Sequence, residues 1–306
     1  MSIALIIPDR KLDDLQQRLQ QALPDVLIEI WPDITAPQQV EFAVVWKHAH
    51  GCLSAFPELK AIQSFGAGVD NILADPHLPD VPLSRIVDPE LAAAMVAYLD
   101  GVVSYYKLRL DLFRQQQQQQ LWKPRANRKI KHITVLGLGE LGAAVAQHFQ
   151  QAGYQVSGWA RSARTLPGIT CYHQQEQFAA AVADADVVIC LLPLTVETEN
   201  LLNDEAFSAF KTGGILINVA RGAIVDDQAL LRALAAGKLE AACLDVFRQE
   251  PLAAEHLFWQ HPAILITPHI SAVTNVATVV AQIAENYSLS IKGLPLLHRV
   301  NYQRGY

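Results

Sequence analysis

The sequence predicts an α/β fold of two Rossmann-like domains, each with a parallel sheet. One domain is flavodoxin-like, and the other is inserted into it. Short apolar runs of strand length recur through both halves of the 306-residue chain, and segments of helical length separate them. Strands that alternate with helices form parallel sheets. The second series also contains Gly137-Leu-Gly-Glu-Leu-Gly142 between a predicted strand and a predicted helix, where a doubly wound domain places its glycine-rich turn.

The first series of elements occupies the N-terminal third of the chain. Apolar runs predict strands at residues 3–7, 27–30, 42–46 and 62–65, and an amphipathic pattern predicts a helix over 11–22. Residues 90–120 follow as one long predicted helix. Its glutamine-rich end, 115–120, is expected to be solvated because glutamine is a fair helix former.

The second series begins at Lys131. Strands are predicted at 133–136, 155–159, 187–191, 215–219, 241–246 and 263–267, with helices at 142–152, 175–181, 203–209 and 227–236. A last helix, 274–292, is expected to pack on the first domain. The chain is therefore predicted to form one domain from residues 1–96 and 278–306 and an inserted domain from 97–277.

Composition excludes several classes of protein. The net charge is −6 and no basic face or arm occurs, so no nucleic-acid partner is expected. No apolar run is long enough to span a bilayer, and residues 3–7 form a strand rather than a signal peptide. The four cysteines lie far apart without metal-ligand spacing, which predicts no disulfide, no metal and a reducing, cytoplasmic location.

The glycine-rich turn predicts a dinucleotide site. Gly137 permits the tight turn, Gly139 allows the backbone to approach a pyrophosphate, and Gly142 lets the helix pack on the strand. The helix N-terminus then offers N–H groups and a positive dipole end to the phosphates. A turn used only for packing is the alternative. The predicted loop contacts are Gly137, Leu138, Gly139, Glu140, Leu141 and Gly142.

The end of the second strand of this domain indicates which dinucleotide is bound. An Asp or Glu at this position binds the ribose hydroxyls of NAD. Here the strand is followed by Arg161 and Ser162, and no acid is present. An arginine makes charge-assisted hydrogen bonds to a 2′-phosphate. The sequence therefore predicts NADP(H) in preference to NAD(H), with a solvated arginine as the alternative.

Polar residues follow three later strands of the same domain, in segments 218–222, 244–252 and 267–271. Because the carboxyl ends of parallel strands meet at one edge of a sheet, all three segments are expected to face one crevice.

With Gly66-Ala-Gly-Val69 and Leu191-Leu-Pro-Leu-Thr195, these segments resemble the D-isomer-specific 2-hydroxyacid dehydrogenases over nearly the whole chain. Within that family the chain is similar to the glyoxylate/hydroxypyruvate reductase A type. The motifs that carry this narrower resemblance are Trp122-Lys-Pro124, Gly158-Trp-Ala-Arg-Ser162, Ala272-Val-Thr274 and Arg304-Gly-Tyr306.

The resemblance implies an enzyme that reduces small 2-oxo acids with NADPH, and it implies roles for three residues. Arg221 would bind the substrate carboxylate and carbonyl oxygen, as a bidentate guanidinium can. His269 would serve as the general acid and base, since histidine titrates near neutral pH. Glu250 would hydrogen-bond to His269, orient its ring and favour the imidazolium.

Further contacts are implied by the same resemblance. Asp245 would lie beside the nicotinamide, although a purely structural strand-end role stays equally open. Trp122 would lie near the interface of a homodimer. The remaining cofactor contacts would be Trp159, Leu192, Pro193, Thr198, Val219 and Ala220. The substrate contacts besides Arg221 and His269 would be Ala67, Gly68 and Val69, with backbone N–H groups as an anion nest, and Trp46 or Trp259, unless these tryptophans only pack in the core.

Two other functions stay open at this stage. The fold and the triad also occur in nucleotide-sensing corepressors, and an NAD-linked oxidation of a D-2-hydroxy acid would use the same residues in reverse. Residues 46–49 depart from the proline-rich stretch of reductase A relatives, so the sequence leaves the choice of 2-oxo acid open.

Overall fold

The computed structural model describes residues 1–8 and 10–306, which form two compact units. Unit 1 comprises Met1–Leu91 with Thr274–Tyr306, and unit 2 comprises Ala92–Val273. The sequence placed the two junctions at 96/97 and 277/278. In both divisions a domain built from the two ends of the chain carries an inserted domain.

The elements alternate along the chain. The strands are β1 Ser2–Ile6, β2 Leu27–Ile30, β3 Val40–Val45, β4 Ala61–Ser64, β5 Leu83–Ser84, β6 His132–Leu136, β7 Gln155–Ala160, β8 Thr170–His173, β9 Val187–Cys190, β10 Gly214–Asn218, β11 Leu239–Leu244 and β12 Ile264–Ile266. The helices are α1 Asp13–Ala22, α2 Asp70–Leu73, α3 Pro89–Lys107, α4 Leu110–Gln118, α5 Glu140–Gln151, α6 Phe178–Val182, α7 Asp204–Ala209, α8 Asp227–Ala235 and α9 Val276–Ile291.

The sheet of unit 1 is parallel and has the strand order β2-β1-β3-β4-β5. This is the strand order of flavodoxin-like domains, the class that the sequence predicted for this domain. On one face, Leu15 and Leu19 of α1 pack in one apolar cluster with Val279 and Ile283 of α9. The C-terminal helix therefore packs on the first domain, as predicted.

The sheet of unit 2 is also parallel, in the order β12-β11-β10-β9-β6-β7-β8. The first strand in sequence, β6, lies between β7 and β9, so the chain reverses its winding direction between β6 and β9. Ligands of doubly wound sheets bind at this switch point, outside the carboxyl ends of the strands. The predicted fold class is confirmed.

Both faces of the unit 2 sheet are buried, which explains why its strands are continuous apolar runs rather than alternating ones. Val187 and Ile189 of β9 belong to one buried cluster, and Val188 and Cys190 belong to the cluster on the opposite face. Successive side chains of a strand point to opposite faces, so each run fills two cores.

The predicted single helix over 90–120 is wrong. The structure has two helices, because Arg109 between α3 and α4 adopts a left-handed conformation with φ of +57°. Its Nε donates a hydrogen bond to the carbonyl of Ala126. The glutamine run is also only partly solvated: Gln116 is buried, and Gln115 donates to the carbonyl of Pro262.

Short strands escaped prediction as well. β5 has two residues, and β8 is an edge strand whose side chains are only half-buried, so neither has an apolar run to reveal it. Over residues 1–8 and 10–306, no helix is long and apolar enough to cross a membrane. In the same residues, no group of three or more His, Cys, Asp and Glu side chains could hold a metal ion.

Candidate active site

The glycine-rich turn between β6 and α5 has the geometry that a pyrophosphate requires. Gly137 has a φ of +99°, and a Cβ there would lie 2.6 Å from the carbonyl oxygen of Leu191. A Cβ on Gly142 would lie 1.7 Å from the carbonyl oxygen of Gly137. At Gly139, by contrast, no described atom lies within 4 Å of the Cβ position. Two glycines therefore serve packing, and the middle one leaves open space beside the backbone.

This open space lies at the N-terminus of α5, a twelve-residue helix, and at the switch point of the sheet. The first amides of such a helix have no intrahelical acceptor, and the helix dipole favours negative charge there. The turn therefore fits the diphosphate of a dinucleotide. Glu140 is exposed in the first turn, and Leu141 is half-buried behind it.

Arg161 and Ser162 follow β7 and are exposed, as side chains predicted to bind the adenosine end of the cofactor must be. Nη2 of Arg161 lies 3.0 Å from Oε1 of Glu197 in the loop after β9. Glu197 is distant from the end of β7 in the sequence, so the local pattern there does not reveal this acid. Both side chains are at least half exposed, so the ion pair is weak and can open toward a bound phosphate.

Trp159 packs in the core of unit 2. The residue is 5% exposed, and its ring packs edge-to-face on Phe178 at 5.4 Å between centroids. Its indole N–H donates to the carbonyl of Gln174. Its backbone carbonyl accepts a hydrogen bond from the amide of Gly137 at 2.8 Å and so stabilises the glycine turn. The cofactor contact of Trp159 stays a prediction.

Thr198 stabilises the loop after β9 by hydrogen bonds to other residues of that loop. Its hydroxyl donates to the carbonyl of Pro193 at 2.6 Å and accepts from the amide of Thr195 at 2.8 Å. This pairing closes the loop next to the glycine turn, because β9 and β6 are neighbouring strands. The other predicted apolar cofactor contacts, which expose little side-chain surface, are Leu138, Leu192, Val219 and Ala220.

Arg221 lies just beyond the carboxyl end of β10, where Asn218 holds the backbone. The Asn218 side chain is fully buried; its Nδ2 donates to the carbonyl of Arg221, and its Oδ1 accepts from the amide of Ala220. Nη1 of Arg221 donates to the carbonyl of Ala220 at 2.7 Å. Because the buried Asn218 amide uses both its N–H donor and its oxygen acceptor, it fixes the backbone from which the Arg221 side chain extends.

Gly222, the residue after Arg221, lies at a crowded point of the backbone. In the structure, a Cβ there would lie 1.9 Å from the carbonyl carbon of Phe247. Gly222 thus lets the segment after β10 pass against the segment after β11, which carries Glu250.

His269 and Glu250 form the predicted pair. Nδ1 of His269 lies 2.8 Å from Oε2 of Glu250, and Oε1 of Glu250 accepts from the amide of Phe247. A carboxylate can only accept, so Nδ1 carries the proton. Nε2 is then the nitrogen that can exchange a proton with a bound molecule. The His269 side chain is 28% exposed and remains accessible.

Asp245 is buried with no exposed surface, and its carboxylate is occupied by the protein. It accepts hydrogen bonds from the Thr267 hydroxyl at 2.6 Å and from the amides of Ile270 and Ser271, both at 2.9 Å. Its backbone carbonyl accepts from the amide of His269 at 2.8 Å. Of the two roles that the sequence left open, these contacts favour the structural one.

Arg221, Glu250 and His269 therefore follow three adjacent parallel strands, β10, β11 and β12. The register pairs Asn218 with Leu244 and Leu244 with Ile266, so the three strands end level with one another. The expectation that these segments share one edge of the sheet agrees with this register. The glycine turn follows β6 at the same edge, one strand beyond β9.

In unit 1, the segment after β4 is held by Ser64, whose hydroxyl donates to the carbonyl of Gly68 and accepts from the amide of Gly66. Residues 66–69, all described, have no positive φ, so they do not alternate between left- and right-handed conformations, and the anion nest stays a prediction. The amides of Ala67 and Gly68 donate to no acceptor within the described ranges. Their role as substrate contacts, together with that of Val69, stays a prediction.

The two candidate tryptophans differ in their surroundings. Trp46 packs on the segment after β4, since a Cβ on Gly66 would lie 2.4 Å from its ring. Trp259 is half exposed, and its indole N–H donates to the carbonyl of Ala253. The loop after Trp46 is fixed by a buried pair in which His48 Nε2 lies 3.1 Å from Asp75 Oδ2.

Residues 104–271 match the family model described as D-isomer specific 2-hydroxyacid dehydrogenase, NAD binding domain. Two curated relatives are named glyoxylate/hydroxypyruvate reductase A. The one from Yersinia enterocolitica is 36% identical over 296 residues, the one from Serratia proteamaculans is 38% identical over 295 residues, and each alignment covers 94% of both chains.

Two solved structures are similar over the whole chain. A D-isomer specific 2-hydroxyacid dehydrogenase from Xanthobacter autotrophicus, in complex with NADPH and MES, has a TM-score of 0.94 at 35% identity and covers 100% of this chain and 99% of its own. An NADPH-dependent glyoxylate/hydroxypyruvate reductase from Sinorhizobium meliloti, in complex with NADP and sulfate, has a TM-score of 0.92 at 29% identity with the same coverage.

Proposed function

The chain belongs to the D-isomer-specific 2-hydroxyacid dehydrogenases, and from this premise we propose that it reduces small 2-oxo acids, such as glyoxylate and hydroxypyruvate, with NADPH. The family and the enzyme class predicted from the sequence are thereby confirmed. The observation that supports the reaction is the 2.8 Å pair of His269 and Glu250, at the same sheet edge as Arg221 and the glycine turn.

In the proposed reaction a 2-oxo acid gains a hydride at its carbonyl carbon and a proton at its oxygen, and becomes a 2-hydroxy acid. The reduced nicotinamide supplies the hydride when it is bound. Arg221 holds the substrate carboxylate and polarises the carbonyl. His269 gives the proton from Nε2 to the carbonyl oxygen, while Glu250 holds the ring through Nδ1 and stabilises the imidazolium before transfer.

The test is loss of nicotinamide absorbance when purified protein is mixed with reduced cofactor and glyoxylate or hydroxypyruvate. We expect fast oxidation of NADPH with at least one of the two acids and slow oxidation of NADH. A parallel titration of NADPH fluorescence measures binding alone. Tight NADPH binding without turnover of any small 2-oxo acid would overturn the reductase proposal and favour the nucleotide-sensing alternative.

The NADPH preference is proposed to depend on Arg161. Replacing Arg161 with glutamine should raise the KM for NADPH by about 10- to 100-fold, because a charge-assisted hydrogen bond to the 2′-phosphate is lost. The KM for NADH, which has no 2′-phosphate, should stay unchanged. Glu197→Gln removes the carboxylate that competes for Arg161, so it should lower the KM for NADPH by up to about threefold.

Arg232→Gln is the matched control, since Arg232 is also an exposed arginine paired with a carboxylate, that of Asp204 on α7. It should change neither KM. An equal rise in the KM values for NADPH and NADH in Arg161→Gln would mean that Arg161 does not recognise the 2′-phosphate.

We further propose that the protein is a homodimer. Residues 119–131 contain no helix or strand, and Trp122 within them is 97% exposed. Leu108, Leu110 and Leu121 nearby in sequence are also exposed. Exposed apolar residues of this number support an interface between copies of the chain. Sedimentation equilibrium showing a monomer at micromolar concentration would contradict the proposal.

A cytoplasmic location is proposed from the cysteines. All four are free thiols, and burial raises the pKa of both Cys190 and Cys243 to about 12. Unpaired thiols of this kind are typical of proteins in reducing compartments. Fractionation of the source cells would test the proposal, and recovery outside the cytoplasm would contradict it.

A further inference from the structure

A partly buried chain of hydrogen bonds runs from helix α3 to the segment that carries His269. The hydroxyl of Tyr98 lies 2.7 Å from Oγ1 of Thr267, and Oγ1 of Thr267 lies 2.6 Å from Oδ1 of Asp245. Asp245 then accepts from the amides of Ile270 and Ser271. The sequence pointed to Asp245 and to segment 267–271, but not to Tyr98, as part of the site.

The direction of the protons in this chain follows from chemistry. A carboxylate only accepts, so the Thr267 hydroxyl must donate to Asp245. The single proton of that hydroxyl is then used, and Tyr98 must donate to Thr267. The Tyr98 oxygen can in turn accept from the thiol of Cys243 at 3.4 Å. Every donor in the chain points toward the Asp245 carboxylate.

The donor-to-acceptor direction of these hydrogen bonds does not change near neutral pH. Burial raises the pKa of Tyr98 far above its ordinary value, and burial raises the pKa of Cys243 to about 12. Both groups therefore keep their protons. The negative charge facing them is that of Asp245, which burial and three hydrogen bonds confine to one position.

His269 needs such support because its backbone is strained. It has a φ of +54°, a left-handed conformation that a residue with a Cβ adopts at a cost. Conformations of this kind persist where the surroundings over-determine them, and they cluster at active sites. Here the amides of His269, Ile270 and Ser271 all donate to Asp245, to its carbonyl or its carboxylate.

We propose that Tyr98 is a positioning residue for the reduction: through Thr267 and Asp245 it holds the 267–271 segment in the conformation that directs His269 Nδ1 to Glu250. The proposal rests on the proposed function for its kinetic consequence, but not for its structural one. Tyr98 touches neither the proton-donating ring nor any group assigned to the substrate.

The chain offers a matched control on the same helix. Tyr106 is a second tyrosine of α3, more deeply buried than the half-buried Tyr98, and its hydroxyl donates to the carbonyl of Ala242 at 2.9 Å, away from the His269 segment. Tyr98→Phe and Tyr106→Phe each remove one phenolic hydroxyl and the hydrogen bond that it donates. We therefore expect a similar fall in the melting temperature for both variants, of a few degrees.

Only Tyr98→Phe should affect the site. We expect its kcat for 2-oxo acid reduction to fall about tenfold with little change in the KM for NADPH, because the loss lies in proton-donor geometry rather than in cofactor binding. Hydrogen exchange of the Ile270 and Ser271 amides should become about five- to tenfold faster, which corresponds to one weakened hydrogen bond. Tyr106→Phe should leave kcat and these two amides unchanged.

Variants of Thr267 test the middle of the chain. Thr267→Val keeps the shape and removes the hydroxyl, so it should reproduce the Tyr98→Phe effect on both readouts. Thr267→Ser restores the hydroxyl, so it should recover most of kcat and of the amide protection. If Thr267 acted only by filling space, Thr267→Ser would recover neither kcat nor amide protection relative to Thr267→Val.

The outcomes separate this proposal from the proposed function. If the wild-type protein reduces no 2-oxo acid, the function fails, and amide exchange still decides whether Tyr98 holds the segment. If the wild type is active but Tyr98→Phe matches Tyr106→Phe in kcat, the positioning role is overturned. Unchanged exchange of Ile270 and Ser271 in Tyr98→Phe would overturn it as well.

Discussion

Replacing His269 with glutamine is expected to lower kcat for 2-oxo acid reduction by about 10²- to 10⁴-fold, the usual contribution of a general acid. Glutamine keeps a polar side chain that can still hydrogen-bond to Glu250, but it has no proton to release near neutral pH. The carbonyl oxygen would then take its proton from water. Steady-state kinetics with NADPH and glyoxylate measure the loss.

Cofactor binding should survive this substitution, because the residues proposed to hold NADPH follow β6, β7, β9 and β10, whereas His269 follows β12. Titration of NADPH fluorescence should therefore give an unchanged Kd. The matched control is His148→Gln, which alters another histidine–carboxylate pair, with Asp100 at 3.2 Å, near the far end of α5. A His269→Gln variant as active as this control would show that His269 is not the proton donor.

The glycine turn is the part of the site that sequence alone predicts best, and the structure explains why. The close contacts of Gly137 and Gly142 are with backbone atoms, one of them within the turn itself. Such contacts follow from the path of the chain and leave glycine as the only residue that fits. The doubly wound fold class is also predictable, since apolar runs that alternate with helices restrict the topology strongly. The strand orders themselves come from the structure.

Residues that act through distant partners are hard to predict from sequence. Tyr98 is one of several tyrosines on an apolar helix, and only the fold brings it to Thr267. Glu197 meets Arg161 because β9 and β7 flank β6, which no local pattern reveals. The break at Arg109 has a similar cause: helix propensity is good throughout 90–120, and the bond to Ala126 belongs to tertiary structure.

Substitution of Arg221 is expected to cause the second large loss of activity. Unlike the loss at His269, it should affect substrate binding as well as turnover. Arg221→Lys keeps the positive charge but loses the planar pair of donors that can hold a carboxylate in one orientation. We expect kcat/KM for glyoxylate to fall by about 10²- to 10³-fold, with a rise in KM and a fall in kcat together. NADPH binding should be unchanged, which fluorescence titration checks.

Arg221→Ala separates the two parts of this effect. It should lower kcat/KM for glyoxylate further than lysine does, and added guanidinium ion should restore part of the rate, because the missing group is small and the backbone around it is held by Asn218. A neutral aldehyde without a carboxylate should lose far less activity than glyoxylate, since it never used the anchoring bonds. If both substrates lost activity equally, Arg221 would polarise the carbonyl without binding the carboxylate. The selectivity for 2-oxo acids would then have to come from another cation.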